Sequence, residues 1–221
     1  MPGRGRMVYA LSSMPETVRI VVATRNRNKL AELRRILAGS PVELEGLDAW
    51  PECPEVEETG DSFEENAILK ASFAARFTGL TALADDSGLE VDALAGAPGV
   101  RSARYAGDAA DDRANLSKLL HALEEVPAGK RSARFRAAIA LASPDGKIIR
   151  TFQGKVDGTI GFGPKGETGF GYDPVFYPLG YDVTFAQMGP ARKDAISHRA
   201  DALRQLKAFL SSPDSRLLLK L

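Results

Sequence analysis

The chain has 221 residues, of which 44% are hydrophobic and 26% are charged, a composition typical of a globular protein with a sizeable core. Its 29 lysines and arginines equal its 29 aspartates and glutamates, so no bulk positive charge favours nucleic acid or an anionic membrane as a partner. No apolar run is long enough to span a bilayer. The single cysteine, Cys53, cannot form an internal disulfide. These features predict a cytoplasmic protein with no nucleic acid and no membrane partner.

The first 16 residues differ in character from the rest of the chain. They include basic residues, but the apolar stretch from Met7 to Leu11 is too short for a signal peptide. We expect residues 1–16 to form a disordered N-terminal extension, or to precede a translation start at Met7 or Met14. Residues 17–221 are expected to form a single α/β domain with two lobes.

The first half of the chain alternates between strand and helix patterns. β-Branched runs predict strands, and apolar residues three or four apart predict helices. Ser62 and Glu65 form a capping-box pattern, and Gly79 is a typical helix stop. The elements predicted in this half are a strand at 18–24, helices at 27–39 and 61–79, a strand at 81–84 followed by a loop through 107, and a helix at 111–126.

The second half predicts a hairpin, a glycine-rich loop and a final helix. Asp145-Gly146 separates two apolar runs and is a strong hairpin signal, which predicts two long strands within 132–158. A glycine-rich loop covers 158–171, and a helix is expected at 198–210 with its leucines inward. The order of elements predicts an α/β unit with a mixed sheet, in two lobes around a groove.

Polar residues gather where the first predicted strand runs into the first helix. The free N–H groups and the positive end of a helix suit an anion. Thr24, Asn26 and Lys29 add a hydroxyl, an amide and a cation at that end. The alternative is that Asn26 only caps the helix and Lys29 is a solvated charge, and the residues alone leave both interpretations open.

Two adjacent acids, Asp85 and Asp86, follow the apolar run at 81–84 and precede Ser87-Gly88. Successive side chains of a strand point to opposite faces, so these two acids cannot aim at one point unless the strand has ended. A carboxylate at the end of a strand in an α/β sheet suits a ligand or a metal. The alternative is a turn acid, because Asp-Ser-Gly is favourable turn chemistry. We favour function, with Asp86 facing the groove and Asp85 supporting the turn or reaching a partner behind it.

Two further groups of residues could carry chemistry. Asn66 and Lys70 share one face of the second helix, which follows an acidic loop containing Glu58; an ordinary exposed loop is the simpler interpretation of those acids. In "GETGFGYDPVF" (166–176) the glycines permit close backbone approach and the aromatic rings offer stacking faces. His198, at the start of the last helix, adds a hydrogen-bond donor. We take the other histidine, His121, to be a packing or surface residue.

Five motifs in register resemble the inosine triphosphate pyrophosphatase family, whose members hydrolyse non-standard purine nucleoside triphosphates. The motifs are Thr-x-Asn-x-x-Lys at 24–29, "EETGDSFEENAILKA", "ADDSGLEVDALAGAPGVRSARYAG", "GFGYDPVF" and "SHRADAL". Each motif is weak alone, but together they span about residues 18 to 211. The resemblance implies an elongated, mixed and twisted β-sheet with flanking helices, in two lobes around a substrate groove, and a homodimer.

The same resemblance implies an activity and a set of site residues. ITP, dITP, XTP and dXTP would be hydrolysed to the monophosphate and pyrophosphate with Mg²⁺. Glu58 and Asp86 match the metal positions, and Asp86 matches the catalytic proton acceptor that assists water attack at the α-phosphorus. The substrate-binding positions implied are Thr24, Arg25, Asn26, Arg27, Asn28, Lys29, Lys70, Ser87, Phe170, Gly171, Tyr172, Asp173, Lys193, His198 and Arg199.

One position departs from the family pattern. Arg25 stands where the family often has glycine. Arginine would be strained there if the backbone required a positive φ, and otherwise it adds a cation near the phosphates.

The alternative functions are those of a non-enzymatic nucleotide-binding protein, a pyrophosphatase for other modified nucleotides, and a structural α/β protein. Intact acids at 58 and 86 argue against the first of these.

Overall fold

A computed structural model of the chain describes residues 17–108 and 111–219. The predicted extension at 1–16 lies outside the described residues. In the described part, the strands are β1 (Val18–Val22), β2 (Val42–Gly46), β3 (Ala82–Val91), β4 (Ser132–Ala142), β5 (Ile148–Ile160) and β6 (Phe176–Pro178). The helices there are α1 (Arg27–Ile36), α2 (Phe63–Thr78), α3 (Asp112–Ala122), α4 (Phe185–Met188), α5 (Pro190–Ile196), α6 (His198–Leu210) and α7 (Pro213–Leu219). Among the helices of these ranges, none combines the length and apolarity required to cross a bilayer.

The strands form one mixed sheet in the order β2-β1-β3-β4-β5-β6. β1 is parallel to both β2 and β3, and the remaining neighbours are antiparallel. The predicted hairpin is present: Asp145-Gly146 lies between β4 and β5, and Gly146 has φ 80°. The prediction of a mixed α/β sheet with flanking helices is confirmed.

The ends of α2 follow the predicted signals closely. The Ser62 hydroxyl accepts a hydrogen bond from the Glu65 N–H at 3.1 Å, and Gly79 ends the helix with φ 68°. The Glu65 carboxylate accepts from the N–H of Asp61 at 2.8 Å, one residue before the position that a capping box would use. The local signals therefore place the helix correctly and miss only this detail.

Three apolar clusters hold the elements together. Leu33 of α1 and Leu203 of α6 pack with Leu83 on one face of the sheet. Alanines of α2 pack against alanines of β3 and β4 on the other face. The third cluster joins α3, β6 and the distal parts of β3 to β5, with Phe135 and Phe176 among its members. Because β3, β4 and β5 each contribute to more than one of these clusters, they connect the clusters to one another.

β3 corrects one prediction made from the sequence. The strand was expected to stop at residue 84, but it continues to Val91 and pairs with β4 from Ala82↔Ala142 to Val91↔Ala133. Asp85 and Asp86 therefore lie inside a strand, so both the strand-end and the turn interpretations of these acids are wrong. Pairing with β4 overrides the local turn preference of Asp-Ser-Gly.

A close approach at Gly154 positions the start of α6 on the sheet. A Cβ atom at this position in β5 would collide with the backbone oxygen of His198 and the backbone nitrogen of Ala202. We predict that Gly154→Ala lowers the free energy of unfolding by about 1–3 kcal/mol through overpacking, measured by urea denaturation. Gly163→Ala is the matched control, since its Cβ would have no neighbour within 4 Å. Equal stabilities of the two variants would contradict this packing argument.

Candidate active site

A groove opens where β1 ends and β3 continues. β1 pairs with β3 only at Val21↔Ala82 and Val22↔Leu83, and the chain then turns into α1. Farther along, the 3₁₀ segment Gly99–Arg104 lies against β3, where the Leu89 N–H donates to the Ser102 hydroxyl at 2.9 Å. The part of β3 between these two contacts carries Asp85 and Asp86. The groove is therefore at a point where the sheet's neighbours diverge, the usual ligand position in α/β folds.

The two adjacent acids face opposite sides of the sheet. Asp85 points toward α1 and α6, as Leu83 does, while Asp86 points toward α2, as Ala84 does. This follows from the alternation of side chains along a strand. The expectation that the two acids have different roles thus rests on an intact strand rather than on a turn.

Asp85 is held by two cations. Its carboxylate lies 2.8 Å from Lys29 Nζ and accepts from Arg199 Nε and Nη2 at 3.2 and 3.1 Å. Burial would raise the pKa of Asp85, but Arg199 and Lys29 outweigh it and hold the pKa far below its ordinary value. Asp85 is therefore a permanent anion that fixes the two cations. Its predicted alternative role, support of a turn, does not apply because there is no turn at this position.

Arg199 is buried at the centre of this network. Besides Asp85, it donates to Glu32 at 2.7 Å and to the Ser87 hydroxyl at 2.7 Å. Burial would lower its pKa, but the two carboxylates raise it above the ordinary value. Sequence reasoning missed Glu32; the available signal was its position on α1 three residues after Lys29, on the same helix face. A direct substrate contact by Arg199 stays a prediction.

Asp86 belongs to a separate cluster beneath α2. Lys70 Nζ lies 2.6 Å from Asp86 Oδ1 and 2.9 Å from Glu58 Oε1, and it donates to the backbone oxygen of Asp85 at 3.2 Å. Arg104 Nη2 lies 2.5 Å from the other oxygen of Glu58. The acidic loop is therefore brought into the groove, and the simple interpretation of Glu58 as an exposed charge is wrong.

The pKa values of Asp85 and Asp86 are shifted in opposite directions. Burial raises the pKa of Asp86 above its ordinary value, although Lys70 and Lys29 oppose the change. Burial acts in the same direction on Glu58, but Lys70 and Arg104 outweigh it and lower the pKa. A carboxylate with a raised pKa is the better proton acceptor near neutral pH. Asp86 and Asp85 therefore differ in electrostatics, because the pKa of Asp86 is raised and that of Asp85 is lowered.

Glu58 and Asp86 could hold a hard divalent cation. Their carboxylates converge on one ammonium group, so they are already close enough to share a cation. Across residues 17–108 and 111–219, no cluster of three or more His, Cys, Asp or Glu side chains is suited to a metal. Mg²⁺ often binds one or two carboxylates together with substrate phosphates and waters. Two carboxylates that converge on one point fit the protein part of that pattern.

The predicted anion site at 24–29 divides into distinct roles. Asn26 caps α1, its side chain accepting from the N–H groups of Asn28 and Lys29 at 3.0 and 3.1 Å, so the capping interpretation is correct for Asn26. The solvated-charge interpretation is wrong for Lys29, which pairs with the buried Asp85. The side chain of Arg27 is 90% exposed, and the Thr24 hydroxyl accepts from the Asn26 N–H at 3.1 Å.

Arg25 adopts an ordinary backbone conformation. Its φ is not positive, so the possibility of strain at this position is excluded. Its guanidinium donates to the backbone oxygen of Cys53 at 2.5 Å. Arg25 therefore links the turn after β1 to the loop after β2.

A cavity of about 100 Å³ lies beside Asp85 and holds most of the remaining predicted residues. Its lining includes Asn26, Lys29, Ser87, Phe170, Gly171, Tyr172, Asp173, Lys193, His198 and Arg199. Asn28 lines a neighbouring cavity of about 160 Å³ with Phe170 and Lys193. The structure thus brings together residues from distant motifs around one space of mixed polar and aromatic character.

The glycine-rich loop is held in place by a buried ion pair. Lys193 Nζ lies 2.6 Å from Asp173, whose carboxylate also accepts from the Phe170 N–H at 3.0 Å. The Lys193 ammonium lies 4.6 Å from the centroid of the Phe170 ring, within the range of a cation–π contact. Gly171 has φ 60°, and its N–H donates to Asp112 at 2.8 Å. These contacts orient the Phe170 ring at the cavity.

His198 and Tyr172 both place aromatic rings at the cavity. His198 stacks on Phe135 with centroids 4.8 Å apart, and within the described residues its Nδ1 is buried without a hydrogen-bond partner. Burial and the nearby Arg199 keep the His198 pKa well below its ordinary value, so the ring is neutral. The Tyr172 hydroxyl donates to the backbone oxygen of Ser102 at 2.8 Å, and burial raises its pKa.

The neutral state of His198 predicts a pH dependence of stability. Below about pH 6.5 the unfolded chain binds a proton at His198 that the folded protein does not, so stability falls by about 1.4 kcal/mol per pH unit from this residue. We expect His198→Gln to remove this slope between about pH 6.5 and 5.5, measured by urea denaturation at each pH. His121→Gln is the control, because the His121 side chain is 84% exposed. A slope that survives in His198→Gln would contradict the argument.

Comparison with known proteins identifies the chain's relatives. A model described as the Ham1 family matches residues 20–209. The chain belongs to the Ham1 family. The resemblance predicted from the five motifs is thereby confirmed, and it extends over nearly the whole described structure.

Two relatives with high sequence identity share one name. A Geobacter sulfurreducens protein named dITP/XTP pyrophosphatase is 55% identical over 192 residues, covering 87% of this chain and 96% of the relative. A Nocardia farcinica protein of the same name is 54% identical over 199 residues, covering 88% of this chain and 95% of the relative. Both matches span nearly the full length of the relative.

Solved structures of the family have the same fold. A HAM1 protein from Coxiella burnetii superposes with a TM-score of 0.80 at 44% identity, covering 88% of this chain and 99% of that structure. A Mycobacterium abscessus structure described as nucleoside-triphosphatase / dITP/XTP pyrophosphatase has a TM-score of 0.69 at 48% identity, covering 88% of this chain and 100% of that structure. The fold described above is therefore the fold of the family.

Proposed function

We propose that this chain hydrolyses non-standard purine nucleoside triphosphates (ITP, dITP, XTP and dXTP) to the monophosphate and pyrophosphate, removing them from the nucleotide pool. The observation that carries the proposal is the arrangement of β3, which presents Asp85 to Lys29 and Arg199 on one face and places Asp86 with Glu58 around Lys70 on the other. It is supported by relatives of 54–55% identity that are named dITP/XTP pyrophosphatase.

The chemical step is hydrolysis at the α-phosphorus. Asp86 orients a water and accepts its proton as the water oxygen bonds to the α-phosphorus. The bond from the α-phosphorus to the bridging oxygen breaks, and pyrophosphate leaves with that oxygen. Lys29, Lys70 and the N–H groups at the start of α1 stabilise the negative charge that develops on the phosphates.

Mg²⁺ would be held by Glu58 and Asp86. When bound, the ion supplies neutralisation of the phosphate charge and helps to orient the triphosphate. The support for this assignment is the convergence of both carboxylates on Lys70. Lys70 keeps the two acids together before the nucleotide arrives.

The cavity beside Asp85 is proposed to bind the purine. Phe170 offers a stacking face, and Lys193, His198 and local backbone N–H groups offer donors. A 6-oxo purine presents an acceptor to these donors, whereas adenine presents an amino group that would remain unpaired. One buried unpaired group costs about 1–3 kcal/mol, so ATP should be hydrolysed roughly 5- to 150-fold less efficiently than dITP.

The test is pyrophosphate release from a panel of nucleoside triphosphates with and without Mg²⁺. We expect release from dITP, ITP, XTP and dXTP that requires the metal. Release from none of the 6-oxo purines would remove the proposal, and binding without release would indicate a nucleotide-binding protein. Equal kcat/KM for ATP and dITP would contradict the selectivity argument while leaving the pyrophosphatase activity in place. Preferred hydrolysis of modified pyrimidine triphosphates would indicate the alternative substrate class.

Oligomeric state and location follow from the family resemblance and the composition of the chain. The chain is proposed to act as a homodimer in the cytoplasm, with no nucleic acid and no membrane partner. The family resemblance supports the dimer, and the single cysteine and zero formal net charge support the location and the absence of those partners. Sedimentation velocity should give twice the mass of the chain, and a monomer at micromolar concentration would contradict the dimer.

A further inference from the structure

Glu58 is paired with a different cation on each carboxylate oxygen. Lys70 Nζ lies 2.9 Å from Oε1, and Arg104 Nη2 lies 2.5 Å from Oε2. The Lys70 side chain is 14% exposed, whereas the Arg104 side chain is 38% exposed. Arg104 therefore lies on the solvent side of the acidic pair, where a nucleotide and its metal would enter.

The backbone that carries Arg104 is fixed. The buried side chain of Asn115 donates to the backbone oxygen of Ala103 at 2.9 Å and accepts from the N–H of Ala106 at 2.6 Å. The Tyr172 hydroxyl holds the neighbouring oxygen of Ser102. Because hydrogen bonds hold the backbone before and after Arg104, this residue can change partners only by rotation of its side chain.

Of the two cations, Arg104 has fewer alternative partners. Lys70 also contacts Asp86 and the backbone oxygen of Asp85, so it stays anchored if Glu58 is taken away. Among the described residues, Glu58 is the only salt-bridge partner of Arg104. A divalent cation that takes Glu58 as a ligand would therefore release Arg104 first.

Charge in the loaded site requires another cation. Without Arg104, the cluster of Glu58, Asp86 and Lys70 carries a formal charge of −1, and Lys29 is already paired with Asp85. A divalent cation brings two positive charges, whereas a fully ionised triphosphate brings four negative ones. A released guanidinium matches phosphate oxygens in charge and in its planar donor geometry.

We propose that Arg104 exchanges partners during the reaction: it pairs with Glu58 in the metal-free enzyme, and binds the pyrophosphate portion of the substrate once a divalent cation has taken Glu58. The proposal rests on the proposed function for the presence of metal and triphosphate. It makes Arg104 a substrate-binding residue of the loaded enzyme and a competitor of the metal in the empty one.

The test compares Arg104→Gln with wild type in two binding experiments that involve no turnover. Calorimetric titration with Mn²⁺ alone should show about tenfold tighter binding to the variant, the size expected for loss of one competing charge-assisted hydrogen bond. Titration with inorganic pyrophosphate in the presence of Mg²⁺ should show about tenfold weaker binding. A merely structural role would weaken both.

Arg101→Gln is the matched control, because Arg101 is an exposed arginine of the same 3₁₀ segment; both affinities should stay at the wild-type value. Equal Mn²⁺ affinities in wild type and Arg104→Gln, absence of binding to both included, would overturn the exchange, as would unchanged pyrophosphate affinity. The proposed function is tested separately: it fails if the wild-type protein releases no pyrophosphate from any 6-oxo purine triphosphate.

Discussion

Asp86→Asn is expected to lower kcat by about 10²- to 10⁴-fold, the contribution of a general base. The amide cannot accept the proton of the attacking water, and it is a weaker metal ligand than a carboxylate. Stability should change little, because Lys70 keeps its contacts with Glu58 and with the backbone oxygen of Asp85. The measurement is kcat for dITP hydrolysis at saturating Mg²⁺.

The control for this variant is Asp157→Asn, an acid of the same sheet whose side chain is 47% exposed. It should retain wild-type kcat. Thermal denaturation of each variant establishes that the protein is folded under the assay conditions. A folded Asp86→Asn protein with near wild-type turnover would show that another group accepts the proton.

Asp85→Asn is expected to lower the free energy of unfolding by about 3–5 kcal/mol at pH 7, the usual effect of removing one partner from a buried ion pair. The substitution leaves Arg199 with Glu32 alone among its carboxylate partners and leaves Lys29 without its partner. Arg199 cannot reach water easily, since it is 1% exposed. Activity should also fall, because both cations would move.

The pH dependence of this effect has a definite sign. The pKa of Asp85 is lowered in the folded protein, so its contribution is fully present above the unfolded value of about 3.9. It is lost progressively as the pH falls from there toward the folded pKa. The difference between wild type and Asp85→Asn should therefore be constant from pH 7 to 5 and narrow below about pH 4.

Urea denaturation at a series of pH values measures that difference. Asp86→Asn is the informative comparison, because the two substitutions are chemically identical and only one residue apart. We expect the larger loss of stability for Asp85→Asn and the larger loss of turnover for Asp86→Asn. The reverse order would contradict the assignment of the structural anion to Asp85 and the base to Asp86.

Local signals predicted most of the long elements. Ser62 and Gly79 mark the two ends of α2, and Asp145-Gly146 marks the hairpin, because a cap or a tight turn depends only on residues a few positions apart. The shorter elements β2, β6, α4, α5 and α7 were not predicted. Each of these has seven residues or fewer, too few for a clear periodic pattern.

The continuation of β3 could not be predicted from its own residues. Asp-Ser-Gly favours a turn locally, yet β4, which begins at Ser132, pairs with this segment along its whole length. Gly88 also permits the backbone at Gly99 and the side chain of Ser102 to cross close to the strand. Both partners are remote in the sequence, and only the folded chain brings them together.

By itself, the sequence determined the family, the α/β class and the residue types that gather in the groove. Motifs and local periodicity depend only on residues that are close to one another in the sequence. The tertiary structure alone decided the partner of each charge. Arg199 and Asp85 are 114 residues apart, and Arg199 and Glu32 are 167 apart. Burial and these distant pairings set the pKa values, and so the pKa values of two adjacent aspartates are shifted in opposite directions.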